Sequence, residues 1–371
     1  MRSWYPIQTL VITLTLACSG ASGDDQPVPL GQPEATLPGT FSQVSSVVEL
    51  RDGRVAFADL RDKRFLYGSF SPATVDTIGT RVDTLNVGDP APSRYKYPGL
   101  TLRFPGDTVA LVDFAAERTT LWSEKGEFLA VLRLQAVAGT NQPLWYDSLG
   151  YAYKADYRAI MGGLEPGKAV RLDSAPVLRY PREGTLADTV ARLKLPELGD
   201  GQFGETVKQV ATIFSGSDAF GVTTDGALWV ARTTSNSVDW RSPGGQWVAG
   251  PLRPYKRVTV TQADRDRFME VAHQNGLPAG LEIRFPFADH KPPFTAAVGG
   301  LDGQVWLQRS RAADDSVAVY DVVGRDGHLV RSVQLPKGAL LGGVGTHGAL
   351  YLLLKGAENR VTLARFRLEE R

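Results

Sequence analysis

A turn containing glycine, followed by a strand of alternating apolar residues, occurs six times in this chain and constrains its fold more than any other feature. The copies run Asp52–Asp59, Gly106–Asp113, Gly150–Asp156, Asp225–Arg232, Asp302–Arg309 and His347–Leu354. Apolar residues at a period of two signal a strand, and glycine supplies the positive φ that a tight hairpin needs. A second turn-and-strand signal follows several copies, at Lys125-Gly126, Gly244-Gly245 and Asp326-Gly327, with Glu183-Gly184 in the same place in the third unit. Each unit is therefore a small antiparallel sheet of about four strands. Such a sheet cannot bury both of its faces alone, whereas six packed radially can, leaving only short edges. The expected fold is all-β, a six-bladed β-propeller of four-stranded antiparallel blades over residues 41–371.

The repeats are unevenly spaced. The widest gaps, Gly150 to Gly226 and Gly226 to Gly303, imply insertions. One insertion reads as a short helix over 262–275: Thr261 and Asp264 resemble a capping box, Phe268, Val271 and Ala272 share a face, and Gly276 with Pro278 ends it. The expectation is a helix packed on the outside or rim of the propeller, with a lid over a binding cavity as the alternative. Trp229, Trp306 and Tyr351 lie on repeat strands and are expected to pack between blades.

The N-terminus has the parts of an export signal. Arg2 is followed by the apolar run Ile7–Leu16, too short to span a bilayer, and then by small residues around Ala17-Cys18-Ser19. Ala17-Cys18 at the end of that run resembles the lipobox of bacterial lipoproteins, with Thr15 where that family prefers leucine. The resemblance implies a signal peptide over 1–17 and a diacylglycerol on Cys18, whose two chains would make a durable membrane anchor. Residues 18–40, rich in Gly, Pro and Ser, read as a flexible tether. The sequence leaves open whether the closing blade takes a strand from residues near Ala35–Phe41. Cys18 is the single cysteine, so stability comes from a packed core and not from disulfides. Lys and Arg number 41 against 40 Asp and Glu, a balance that argues against nucleic acid as a partner.

The stretches Lys291-Pro292-Pro293-Phe294, Asp302-Gly303-Gln304-Val305-Trp306, Tyr320-Asp321-Val322, Gly327-His328, Val333-Gln334-Leu335-Pro336 and Leu350-Tyr351 resemble the last blades of bacterial six-bladed, NHL-like β-propeller proteins of the cell envelope, many of them lipoproteins. That family often carries a Gly-rich segment between its first two blades. Here the corresponding stretch runs from Gly88 to Pro98 and contains Arg94-Tyr95-Lys96-Tyr97. Ser19 after the cysteine, in place of Asp, resembles known lipoprotein sorting signals and implies an outer-membrane address in a diderm cell, or a periplasmic or secreted one if Cys18 is not lipidated.

No catalytic motif is visible. His273, His290, His328 and His347 show no metal-ligand spacing, and there is no nucleophile elbow, Walker loop or dinucleotide fingerprint. Aligning the repeats superposes Asp59, Asp113, Asp156, Arg232 and Arg309 at the strand ends. If these share a face, it is acidic on one half and basic on the other, a candidate ligand surface. The competing reading has each Asp bonding its own turn. Arg94, Tyr95, Lys96 and Tyr97 form a second candidate, a recognition loop between blades. The leading functional expectation is a non-enzymatic binding or scaffolding module for an envelope protein or glycan. The alternative is a propeller enzyme, a metal-dependent lactonase, hydrolase or lyase, with a divalent ion in its central channel. The cofactor is otherwise open.

Overall fold

All six repeat glycines, Gly53, Gly106, Gly150, Gly226, Gly303 and Gly348, adopt positive φ between 70° and 84°. In the computed structural model each closes the hairpin joining the first and second strands of a sheet. The structure describes residues 26–86, 92–132, 145–156, 174–181, 188–274, 276–278, 280 and 282–369. Cys18 and the signal-like segment 1–17 lie outside the described residues.

The sheets are six blades, each beginning with an inner strand. The inner strands are Val44–Glu49, Pro98–Phe104, Trp145–Tyr146, Ala219–Val222, Phe294–Gly299 and Leu340–Val344. The second strands are Val55–Asp59, Thr108–Asp113, Ala152–Ala155, Leu228–Arg232, Val305–Arg309 and Ala349–Lys355. In the first three blades every residue of the second strand is buried, because neighbouring blades cover both faces. Those strands therefore read as nearly continuous apolar runs.

The core lies between the blades. Ala56, Phe65 and Tyr67 of the first blade meet Val109, Leu111 and Trp122 of the second. Trp229 and Trp240 of the fourth blade meet Val305 and Leu307 of the fifth. Trp229, Trp306 and Tyr351 are at most 2% exposed, packed between blades as their strand positions imply. Each aromatic removes roughly 150–250 Å² from water. The Trp229 indole lies so close to Gly221 that a Cβ there would stand 2.4 Å from the ring, so that inner-strand position has room for glycine only.

The segment expected to be a free tether is structured in its second half. Val28–Pro29 pairs in parallel with Leu329–Gln334 as a fifth strand on the fifth blade. Ala35–Thr36 pairs antiparallel with Val361–Arg367 as the outer strand of the sixth. Leu37 and Phe41 are each 2% exposed and pack with Phe57, Tyr351 and Leu363. The Gly and Pro content of 18–40 masked these short pairings, which need only two or three main-chain partners each. The ring thus closes by joining strands from both ends of the described chain.

The connections from the third blade to the fourth and from the fourth to the fifth build a side unit. Its sheet contains Leu198–Phe203, Thr206–Ala211 and Ile283–Arg284, and its helix spans Gln262–Gln274. The capping box forms as the sequence implies: the Thr261 N–H and hydroxyl donate to Asp264 at 3.0 Å each, and the Asp264 N–H returns to the Thr261 hydroxyl at 3.3 Å. Phe268 meets Phe285 and Phe287 edge-on at 5.3 and 5.6 Å. Val271 does not join it on a buried face and is 47% exposed, because the helix docks through one aromatic and its N-terminus and not through a full stripe. That N-terminus is fixed by Lys291, which donates to Asp264 and to the Arg311 carbonyl. Burial opposes ionisation of Asp264, but the Lys291 ammonium and the Thr261 donors outweigh it and hold the carboxyl below the usual carboxylate range. Thr261→Ala removes one side of the capping box and should lower stability by about 1 kcal/mol, read as a lower urea midpoint at unchanged slope.

Candidate functional site

The C-terminal halves of the inner strands converge on a cavity of about 190 Å³ in the central channel. All six blades contribute to its lining. The walls are largely apolar, with Val47, Leu102, Phe104, Trp145, Trp229 and Val298 among them. Phe104 and Tyr146 pack against each other across blades two and three, ring centres 4.8 Å apart. Alternation along the inner strands aims successive side chains at the two neighbouring blades, which brings both apolar and polar groups to the channel.

Two charged residues stand in this lining, Glu49 and Arg103. Glu49 is held by three donors. It accepts the Thr346 N–H at 2.6 Å, the Thr346 hydroxyl at 3.0 Å and the Tyr351 hydroxyl at 2.8 Å, and so locks the first blade to the sixth. Gly345 makes this possible, since a Cβ there would lie 2.8 Å from the Glu49 carboxyl carbon. Burial, and then the Glu49 carboxylate, push the Tyr351 phenol well above its ordinary range, so it remains a donor.

Arg103 is not occupied in the same way. One Nη donates to the backbone carbonyl of Glu49, and Nε is buried without a partner. Among the described residues Arg103 forms no ion pair. Burial lowers its pKa, opposed by the charges of Glu49, Asp107 and Glu124. A guanidinium nonetheless stays protonated throughout the accessible pH range.

The strand-end charges do not form the divided ligand face that the repeat alignment suggests. Asp59 is fully buried and accepts the N–H groups of Ser42 at 3.0 Å and Gln43 at 3.1 Å, together with the Ser42 hydroxyl. Asp113, also fully buried, accepts those of Lys96, Tyr97, Ala115 and Ala116 between 2.7 and 3.2 Å. Both carboxylates therefore tie the entry of an inner strand to the hairpin beside it. The charge is also answered locally. Arg64 bonds Asp59 at 3.3 Å, and Arg118 stands opposite Asp113 in the ladder. In the fourth and fifth blades the signs exchange strands: Arg232 bonds Asp239 at 2.8 Å and Asp218 at 3.0 Å, and Arg309 bonds Asp321 at 2.9 Å. At these four positions the charge is answered by an opposite one nearby, so they do not divide into a free acidic half and a free basic half. Asp156 ends the corresponding strand of the third blade, its N–H donating to the Pro176 carbonyl.

The candidate loop Arg94–Tyr97 also divides. Tyr95 is core, 1% exposed and packed with Phe65 and Trp122, and its hydroxyl accepts the Phe65 N–H at 3.2 Å. It is drawn inward because Arg94–Tyr95 pairs in parallel with Thr80–Arg81. Tyr97 stacks on Phe114 at 6.3 Å, with the Lys63 ammonium 5.7 Å from its ring centre. The Lys96 N–H is spent on Asp113. Arg94 alone of the four is exposed, so the loop is not brought together as a recognition cluster. Among the described residues no three His, Cys, Asp or Glu side chains stand together as a metal-binding group.

Sequence reasoning missed Glu49 and Arg103 because it followed the strand after each turn. The signal lies before it. The residue four positions ahead of the turn glycine is Glu49, Leu102, Tyr146, Val222, Gly299 or Val344, and every one lines the cavity. Read in that phase, the repeat marks the channel lining directly.

No protein-family model matches the chain, and no curated protein matches it by sequence. Solved structures do resemble it in fold. A gluconolactonase from Xanthomonas campestris is 14% identical with TM-score 0.40, over 92% of this chain and 98% of that one. A virginiamycin B lyase from Staphylococcus aureus is 12% identical with TM-score 0.39, over 90% and 83%. A Bacteroides fragilis protein described as a candidate exported protein is 10% identical with TM-score 0.49, over 92% and 94%. At these values the likeness assigns no function. The chain is a six-bladed β-propeller on its own sheets.

Proposed function

We propose that this propeller binds a small molecule in the cavity of its central channel, outside the cytoplasm and anchored through a lipid on Cys18. The observation that carries the first part is the convergence of all six blades on one space with apolar walls and polar groups at fixed positions, the usual make-up of a small-molecule site. Its size favours a small ligand: at roughly 30 Å³ per water it takes about six waters' volume. The test is incubation of the purified protein with a cell extract, followed by mass spectrometry of the small molecules it retains. Enrichment of one compound, lost in a Val298→Trp variant that fills the cavity, supports the site. Retention that the filled variant keeps would place binding elsewhere.

Turnover of the same ligand, by a lactonase- or lyase-like reaction, is the second reading, and it rests on the position of the cavity in the channel where that chemistry would need it. The three donors on Glu49 leave it poorly placed as a general base, which favours binding alone. Recovery of a chemically altered ligand, with or without added divalent cation, would reverse that order. The anchor has its own test: the mature chain should begin at Cys18 with the mass of a diacylglyceryl adduct. An unmodified chain beginning at Asp24 would leave the propeller as a free exported protein.

A further inference from the structure

We propose that the ligand of the channel cavity is a small carboxylate with an apolar, ring-sized body, recognised through Arg103. This rests on the reading of the cavity as a binding site and names the chemistry it selects.

Arg103 brings a full positive charge to the cavity wall and forms no ion pair among the described residues. Of its N–H groups one meets a backbone carbonyl, and Nε, buried, meets nothing among the described residues. The nearest candidate to neutralise it, Glu49, directs its carboxylate to Thr346 and Tyr351 of the sixth blade. A half-buried guanidinium whose Nε–H is buried and unspent is unfavourable until an acceptor reaches the group. The planar fork of the side chain matches a carboxylate, which can take two parallel N–H bonds at once.

The other walls describe the rest of the ligand. Trp145, Tyr146, Trp229, Phe104 and Val298 offer aromatic and aliphatic surface, and Ser46 with Thr101 supplies the nearby hydroxyls. Those hydroxyls are already paired with each other and with main-chain carbonyls, so they add little demand for a polar ligand body. Apolar cavities of about 150 Å³ accept a benzene ring. A cavity of about 190 Å³ therefore takes such a ring with one carboxylate attached. A sugar-sized polyol would leave most of its hydroxyls facing apolar walls, at a desolvation cost.

Benzoate and benzyl alcohol, which share a ring and differ in charge, test the proposal on the full mature chain. Trp145 and Trp229 lie in the wall, so tryptophan fluorescence reports occupancy, with calorimetry as the second readout. The expected result is saturable benzoate binding, with benzyl alcohol about tenfold to a hundredfold weaker. Arg103→Gln should remove that difference, bringing benzoate down to the level of benzyl alcohol. Arg103→Lys, which keeps the charge and loses the fork, should fall between them, and it decides the matter if the Gln variant does not fold. Equal binding of the two compounds by the wild type, or an undiminished preference in both variants, overturns carboxylate recognition. If neither compound binds while the extract experiment still yields a cavity-dependent ligand, the carboxylate proposal fails and the binding site stands. If neither compound binds and the extract yields none, both fail.

Discussion

A chain lacking residues 26–41 should lose its cooperative unfolding transition. Those residues supply the outer strand of the sixth blade, where the N–H groups of Glu34, Leu37 and Phe41 donate to the carbonyls of Arg365, Leu363 and Val361 at 2.8 to 2.9 Å. They also supply two buried side chains, Leu37 and Phe41, the latter edge-on to Phe57 at 4.9 Å. Truncating a buried Leu costs about 2–5 kcal/mol and a buried Phe about 3–5 kcal/mol. Domains are stable by only about 5–15 kcal/mol in all. Losing both side chains together with the strand consumes most of that margin. The ion pairs of Glu34 with Arg365 and Arg367 lie near the surface and add little. A milder version keeps the backbone: Leu37→Ala with Phe41→Ala should lower stability by roughly 5 kcal/mol, somewhat less than the separate costs because both sit in one cluster. Guanidinium unfolding followed by tryptophan fluorescence measures both. A truncated protein with the wild-type midpoint would show that the strand is not part of the folded unit.

The second large effect is at Asp59. Asp59→Ala leaves the N–H groups of Ser42 and Gln43 and the Ser42 hydroxyl without their acceptor at a part-buried site. At about 1–3 kcal/mol for each stranded group, with partial relief from water, the cost should be roughly 3 kcal/mol. The same carboxylate gives a pH signature. Burial disfavours its charge, but the donors from Ser42 and Gln43 and the Arg64 guanidinium outweigh burial and lower its pKa. The unfolded carboxyl, at about 3.9, takes up its proton first as pH falls. The contribution of Asp59 is therefore complete above about pH 4 and is lost as pH drops through the lowered native value. Asp264 adds to the same loss, with the same sign. Asp59→Asn should flatten the stability–pH curve below pH 4 while leaving its shape near neutrality unchanged. An unaltered acid limb would mean that Asp59 does not carry that linkage.

The fold was legible because one physical requirement, glycine at positive φ in a tight hairpin, recurs at Gly53, Gly106, Gly150, Gly226, Gly303 and Gly348. The helix was legible for a similar reason, since Thr261 and Asp264 act within a single turn. Much of the rest depends on partners distant in sequence. Ala35-Thr36 has no strand pattern of its own and becomes a strand by meeting Ala364 and Arg365. Asp59 and Arg232 align in the repeat, but whether they face a ligand depends on Ser42, Arg64, Asp218 and Asp239, which the repeat does not align. Tyr95 sits in a polar loop and is buried because that loop pairs with Thr80–Arg81. The cavity was partly legible: its lining follows the repeat, four residues ahead of each glycine, yet the freedom of Arg103 and the engagement of Glu49 appear only once Thr346 and Tyr351 are placed.

The joining of Ala35–Thr36 to Val361–Arg367 also fixes an order of events in time. A ribosome delivers residue 35 long before residue 361, so the sixth blade cannot be completed until its last strand has been made. Until then Leu37 and Phe41 have only the first blade to pack on. Contacts of such sequence separation form slowly, because a long loop must close before they add stability. Ring closure should therefore be the last and slowest step of refolding, with the first and fifth blades able to form earlier from local hairpins. A chain of this design stays open until residues 361–367 are available to pair.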